Sequence, residues 1–380
     1  MGHADGFFDK RDTSPAELLG FGGCPNTPTA FMQHFLHRSI FAANRLNHYQ
    51  LFVVMLISVL VCARLKCNLG FPWKILMQRI TSLFFIYGIG ALYSASLPAQ
   101  DKSWEVLTDL KFSQGFELTG ATHQASKRVE TFGQKDVTPV WRMPQWNSKG
   151  LLDRLQIKED TVTLSDDYKS VTLDRKTGAI NLTVHTSKEY ATPRTSSSQP
   201  WVHLLLELSP FSKPVKVSGS AEIWVEAEFE LTENTAHGVN DPDLHAAQFS
   251  WFLYLKNTNE QSEGFRDFLW FGLSMFDSRY EFVPDYAMQD FAMPNGSFIY
   301  SLGSKRFFDK PVKVGERRTI RRNILDDLRV AVETANKKGF ITNTTLDDVV
   351  LDGMNIGWEV PGTYDVGATL HKMSVKVVEK

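Results

Sequence analysis

QFSWFLYLK, Gln248 to Lys256, and FLWFGLSMFDSR, Phe268 to Arg279, are two apolar, aromatic-rich runs joined by the turn-prone segment Asn257 to Gly264. Their length, composition and spacing predict adjacent antiparallel strands in the middle of a sheet, and their apolar density predicts that both faces are covered. Polar side chains nevertheless stand in or at the ends of these runs: Gln248, Ser250, Tyr254, Asp277 and Arg279. Polar groups so close to a core need hydrogen-bond partners or a ligand.

Outward from this pair the pattern repeats. From Trp104 onward short strand-like runs alternate with turn signals at the spacing of an all-β sandwich. Leu151 to Thr186 predicts three strands, with Asp166-Asp167 and Lys176-Thr177-Gly178 as turns, and the nearly continuous WVHLLLEL, Trp201 to Leu208, predicts a central strand. In SAEIWVEAEFELTE, from Ser220, the residues Glu222, Trp224, Glu226, Glu228 and Glu230 fall on one face and Ile223, Val225, Ala227, Phe229 and Leu231 on the other. That alternation predicts a half-buried strand. One helix is expected at 321–338: Ile324, Leu325, Leu328, Val332 and Ala335 fall at helical spacing, Asp326 and Asp327 suit its positive end, and Lys337-Lys338-Gly339 closes it. The expected fold is therefore an all-β, two-sheet antiparallel sandwich with one inserted helix.

The chain has 380 residues, 43% hydrophobic and 22% charged, enough to bury a large core. A formal net charge of -2 gives no broad basic field, and the cluster Arg317, Arg318, Arg321 and Arg322 is local, so no nucleic-acid partner is expected. Cys24, Cys62 and Cys67 all lie near the N-terminus. The remainder can have no disulfide framework, thiolate nucleophile or cysteine-bound zinc.

Residues 1–76 predict no independent fold, and their apolar run Leu51 to Ala63 is shorter than the roughly 20 residues of a spanning helix. The next segment has the order of a secretory signal: Lys74 and Arg79, then the apolar Ile80 to Leu97, then Ser94, Ala95, Ser96, Pro98 and Ala99. A chain starting at Met77 would carry an ordinary signal peptide over 77–99, which would make 1–76 a mis-assigned start; the alternative is a membrane anchor through 80–97. Either reading puts residues 104–380 outside the cytoplasm, as a secreted, periplasmic or envelope domain.

Three phrases, EYATPRTSSSQPWVHLLLEL from Glu189, FLWFGLSMFDSR from Phe268 and MNIGWEVPGTYDVGATLHKMSV from Met354, together resemble an exported bacterial family of concanavalin-like jelly-roll domains without assigned activity. The resemblance covers about 104–380. It implies a jelly roll of two curved sheets with a concave face of the kind that holds saccharide chains in lectins, laminarinases and alginate lyases.

Several constellations bear on that implication. Glu226-Ala-Glu228-Phe-Glu230 is similar to the acidic strand motif E-x-D-x-E of laminarinase-type hydrolases, with Glu in place of the central Asp; a solvated charged strand explains it equally. Arg194, His203, Glu207, His245, Gln248 and Tyr254 supply the residue types of a lyase site: a carboxylate neutraliser, a base and a proton donor. The lyase motifs themselves are absent, since R-x-E-L-R is replaced by Arg194-Thr-Ser-Ser-Ser and Q-I-H by Gln248-Phe-Ser250. The alternative is a satisfied histidine and an arginine closing a loop. Parity places His203 with Glu207, and Gln248 with Ser250 and Tyr254, on shared faces.

Asp277 and Arg279 form a further binding candidate, and Asp277, Asp285 or Asp290 a Ca²⁺ candidate, although no loop has the ligand density of an EF-hand and no cofactor is otherwise expected. Of Trp141, Trp146, Trp201, Trp251, Trp270 and Trp358, the first two are expected to be the most exposed. The sequence thus points to a polysaccharide or glycan ligand, with His203, Glu207 and Tyr254 as catalytic candidates and Arg194, His203, Glu207, Gln248, Asp277 and Arg279 as binding candidates. A polysaccharide-cleaving enzyme, lyase before hydrolase, and a structural envelope protein are the alternatives.

Overall fold

A computed structural model describes residues 102–120, 127–238, 241–290 and 297–380. The chain divides into two units, Met1–Leu97 and Pro98–Lys380. The extension 1–76, the segment 77–99 and the apolar stretches at 51–63 and 80–97 lie outside the described residues. Among the described residues no helix is long and apolar enough to cross a membrane.

The second unit is a two-sheet jelly-roll sandwich. Its eight-stranded sheet contains β1 (Ser103–Glu105), β5 (Arg154–Lys158), β6 (Thr161–Ser165), β7 (Lys169–Asp174), β8 (Ile180–His185), β11 (Ser220–Ala236), β16 (Arg317–Asn323) and β18 (Tyr364–Glu379). They run in the order β16-β11-β18-β8-β7-β6-β5, with β1 also paired to β18. The ten-stranded sheet contains β2 (Phe116–Thr119), β3 (Lys127–Glu130), β4 (Trp141–Pro144), β9 (Val202–Leu208), β10 (Val215–Lys216), β12 (Gln248–Asn257), β13 (Phe268–Asp277), β14 (Tyr286–Gln289), β15 (Phe298–Leu302) and β17 (Val349–Val360). Its order is β14-β15-β13-β12-β17-β9-β4-β2-β3, with β10 on β17.

Period-two patterning builds the core. In β11, Ile223, Val225, Ala227, Phe229 and Leu231 are buried while the glutamates opposite them are not. In β12, Phe249, Trp251, Leu253 and Leu255 are buried, each contributing about 1.5–3 kcal/mol. Phe229 of one sheet meets Phe249 of the other at 5.0 Å between ring centres, and Trp358 packs edge-on against Phe249 at 5.1 Å. The Trp358 indole N–H crosses between sheets to donate to the Leu182 carbonyl at 2.9 Å.

Four expectations are corrected. β12 and β13 do pair antiparallel, but only one face of β12 is sealed: Gln248, Ser250, Phe252 and Lys256 are half-buried on the other. Leu151 to Thr186 makes four strands rather than three. β5 and β6 are joined by a turn in which Glu159 takes a φ of 54°, a left-handed position normally signalled by Gly or Asn, so this sequence gives no warning of it. The sheets are not wholly antiparallel, since β2 pairs with β4 and β13 with β15 in parallel.

The helix, finally, covers Leu325–Lys337 rather than 321–338, and a single turn at Thr186–Glu189 joins β8 to the following loop. These two are α2 and α1. Arg321 belongs to β16, held in register opposite Glu226, and Asn323 ends that strand by accepting the Leu325 N–H at 3.2 Å. The close is as expected, at Gly339 with φ 76°.

Candidate functional site

Cross-strand register places the polar residues of the outward face of the ten-stranded sheet in two rows. β9, β17, β12 and β13 are neighbours, and His203, Glu359, Gln248 and Asp277 are directly paired in turn across them. A second row runs Arg142, Glu207, Asn355, Phe252, Gly272 and Ser301 across β4, β9, β17, β12, β13 and β15. The rows are four residues apart, about 13 Å at 3.3–3.4 Å per residue.

The first row is charged and continuous. His203 Nδ1 sits 2.9 Å from the Trp201 carbonyl, so that nitrogen carries the proton. Its Nε2 faces Glu359 Oε2 at 3.4 Å. Trp201 donates its indole N–H to the same oxygen at 3.1 Å. Burial pushes the Glu359 carboxyl up, but the His203 charge and the two hydrogen bonds outweigh it and hold the group below its ordinary value. On the far side Gln248 donates to Asp277 Oδ2 at 2.9 Å, and Arg279 clamps both Asp277 oxygens, at 2.9 and 2.7 Å.

The second row is more buried. Arg142 lies between two carboxylates, 3.0 Å from Glu207 and 3.4 Å from Glu117. Burial holds the Glu207 carboxyl above the usual carboxylate range despite Arg142. Burial also raises the Tyr254 phenol well above its ordinary value, and the nearby Glu207 charge adds to this. The rings of this region lie where neighbouring strands lack side chains: a Cβ on Gly353 would come within 2.7 Å of the Tyr254 ring, and one on Gly272 within 2.7 Å of Phe252. Phe252, Tyr254 and Phe268 all meet Trp270, at 6.0, 4.8 and 4.8 Å between ring centres. At the sheet's other side Gln145 is fully buried, yet both its side-chain amide atoms lack a protein partner, as does the Thr119 hydroxyl.

The structure thus brings His203, Glu207, Gln248, Tyr254 and Asp277 to one face, with Arg279 at its edge. Arg194 and His245 have other duties. Arg194 donates to the carbonyls of Leu244, Ser196 and Ser197 and rests 4.9 Å from the Trp201 ring centre, closing the loop that presents that tryptophan. His245 is satisfied on both nitrogens, by the Asp241 N–H at 2.8 Å and the Arg194 carbonyl at 2.7 Å.

The acidic strand motif lies on the other sheet, where Glu226 pairs with Arg321 and Lys372, and Glu230 with Arg317 and His371. Of the three Ca²⁺ candidates, Asp277 is paired with Arg279 and Asp285 with Arg306. Trp141, expected to be exposed, is fully buried because the β4 pleat turns it inward, where its N–H reaches the Thr108 carbonyl at 3.0 Å. Trp251 and Trp358 are core; Trp146, Trp201 and Trp270 are half-buried.

Glu359 was not among the residues singled out from sequence. Its signal is parity, since Asn355, Gly357 and Glu359 alternate with the buried Met354, Ile356 and Trp358 in MNIGWEV.

Among solved structures the chain is similar to a family 12 xyloglucanase from Bacillus licheniformis, at 11% identity and a TM-score of 0.36, covering 59% of this chain and 97% of that one. It is also similar to an endoglucanase from Rhodothermus marinus, at 11% identity and a TM-score of 0.33 over 58% of this chain and 93% of that one. A family 11 xylanase from Neocallimastix patriciarum gives 10% identity and a TM-score of 0.32 over 61% and 98%. No family model and no curated protein matches the sequence. Likeness this distant says nothing of activity, which must be argued from the face itself.

Proposed function

We propose that the outward face of the ten-stranded sheet binds a polysaccharide or glycoconjugate chain. The observation that supports this most is the row His203, Glu359 and Gln248, half-buried on an otherwise regular sheet beside the buried Asp277 and offering polar groups to the open face. Along β12 and β13 the same face passes from that row to the rings of Phe252, Phe268 and Trp270, so polar and aromatic contacts lie within about 20 Å of strand.

Binding is favoured over cleavage by geometry. Glu207 and Glu359 are four register steps apart, about 13 Å, beyond the roughly 5–9.5 Å between paired carboxyls in glycosidases. Glu117 and Glu207 are closer, but Arg142 pairs with both and Lys127 pairs with Glu117 as well. A lyase would need a readily ionised base, and burial works against ionising the Tyr254 phenol, which leaves His203 as the candidate base. The raised carboxyl of Glu207 is what keeps an acid-catalysed reading in view. Formation of reducing ends, or of unsaturated ends absorbing in the ultraviolet, during incubation with a bound glycan would replace the binding reading with an enzymatic one.

On a glycan array His203→Ala and Gln248→Ala are expected to weaken binding by about 1–3 kcal/mol each, roughly five- to 150-fold, with the fold retained. Normal binding by both variants, combined with loss of thermal stability, would mean these groups serve only the protein. We further propose that the domain is exported, as the residue order at 74–99 supports. N-terminal sequencing of the mature protein is expected to begin near Gln100, and recovery of intact, uncleaved material would overturn the proposal.

A further inference from the structure

On the outward face of the eight-stranded sheet, remote in function from the row just described, we propose a binding site for a divalent transition-metal ion of the zinc type, formed by His185, Glu233, His237 and Asp365. Three adjacent strands supply the frame: His185 ends β8, Asp365 opposes it on β18, and Glu233 on β11 opposes Gly367. Gly367 leaves room there for the threonines on either side, since a Cβ would lie 2.7 Å from Thr232 Oγ1 and 3.2 Å from Thr183 Oγ1.

The donor atoms already have the spacing of a coordination shell. His185 Nε2 is 3.2 Å from Glu233 Oε2, and His237 Nε2 is 2.9 Å from Asp365 Oδ2. Donor atoms of His185, Glu233 and Asp365 all lie within 4.8 Å of one another. Ligands at zinc's bond length of about 2.0–2.1 Å stand roughly 3.3 Å apart, so His185, Glu233 and Asp365 must draw together slightly, while His237, outside that group of three, joins through its contact with Asp365. Two imidazoles with two carboxylates suit zinc or its transition-metal neighbours better than Ca²⁺ or Mg²⁺, which prefer oxygen alone.

Surrounding groups orient the ligands. Ser187 donates to Asp365 Oδ1 at 2.6 Å, turning Oδ2 toward the histidines. His237 is anchored to Thr363 by two hydrogen bonds, from its N–H at 2.9 Å and to its carbonyl at 2.7 Å. Such outer contacts are how metal sites fix ligand direction. The group that opposes a cation is Lys188, whose Nζ lies 3.3 Å from His185 Nδ1, and its exposed side chain can turn to solvent when the ion enters. Without metal the same four residues form two histidine–carboxylate contacts, so the site is compatible with a folded apo protein.

Titration of the full-length chain with Zn²⁺ by calorimetry, paired with thermal denaturation, tests this. Saturable binding and a rise in melting temperature reversed by a chelator are expected, with His185→Ala and Asp365→Asn each losing about one equivalent. Ser187→Ala should bind about tenfold or more weakly, a change that a mere surface ion pair would not show. Absence of saturable Zn²⁺ binding would overturn the proposal. So would binding that survives both ligand substitutions, which would assign the ion to the cysteines and histidines before residue 98.

Discussion

Lys169→Met is expected to lower folding stability by about 3–5 kcal/mol near neutral pH, the cost of removing one member of a buried charge network. The Lys169 side chain is fully buried, and its ammonium donates to Asp166 Oδ2 at 2.5 Å and to Ser148 Oγ and the Gly150 carbonyl at 2.7 Å each. Ser148 in turn donates to Glu189 at 2.5 Å, so two carboxylates depend on one cation. Burial pushes the Asp166 carboxyl up, but Lys169 and the backbone N–H groups of Leu152 and Tyr168 hold it below its ordinary value. Burial leaves the Glu189 carboxyl raised even with Ser148 and Lys169 nearby.

The sign follows from linkage. Asp166, with its lowered folded value, contributes stability above the ordinary carboxylate value of about 4, and that contribution is lost as pH falls through the lowered one. A variant without Lys169 has no such contribution to lose. The gap between wild type and Lys169→Met should therefore narrow as pH falls through and below that range, when measured by urea denaturation at a series of pH values. A gap that stays constant, or a loss under about 1 kcal/mol at neutral pH, would show that the network is electrostatically idle.

Trp358→Ala is expected to cost a similar 3–5 kcal/mol, because it opens a cavity between the sheets. Trp358 is fully buried, packs against Phe249 and Phe276, and carries the N–H to Leu182 that ties β17 to β8. Trp358→Phe separates the two contributions. It keeps much of the packing but leaves the Leu182 carbonyl without its partner, for an expected loss of about 1–3 kcal/mol by denaturant titration. Because Glu359 is the next residue, Trp358→Ala should also weaken the glycan binding proposed above, whereas Lys169→Met should unfold the protein at lower urea and leave that proposed affinity of the folded fraction unchanged.

Which residues face the candidate site was largely legible from parity. His203 with Glu207, and Gln248 with Tyr254, share a face because side chains alternate along a strand, and no tertiary information is needed for that. The distant partners were not legible. Glu359 becomes a neighbour of His203 and Gln248 only because β17 lies between β9 and β12, a strand order that brings residue 359 beside residue 203 and that no local pattern encodes. The same holds for Arg142, which reaches Glu207 from β4. Conversely, the acidic alternation of Glu226, Glu228 and Glu230 was correctly placed on one exposed face, but the strand pattern could not say which sheet that face belongs to. It is the eight-stranded one, where Arg317 and Arg321 of β16 and Lys372 of β18 take up Glu230 and Glu226.

The sequence by itself determined the all-β class, the strand pair at 248–279, the helix with its glycine stop, and a cysteine-free domain, because each follows from short-range periodicity or composition. Tertiary structure alone decided which sheet and which neighbours each face receives. It gave Arg194 the carbonyls of a loop as partners, sent Trp141 into the core, and gathered His185, Glu233, His237 and Asp365 from strands and loops up to 180 residues apart. Strand order is fixed by the closing of long loops and by the burial of both sheets against each other. Those free energies are summed over the whole sandwich and leave no mark on any one stretch of sequence.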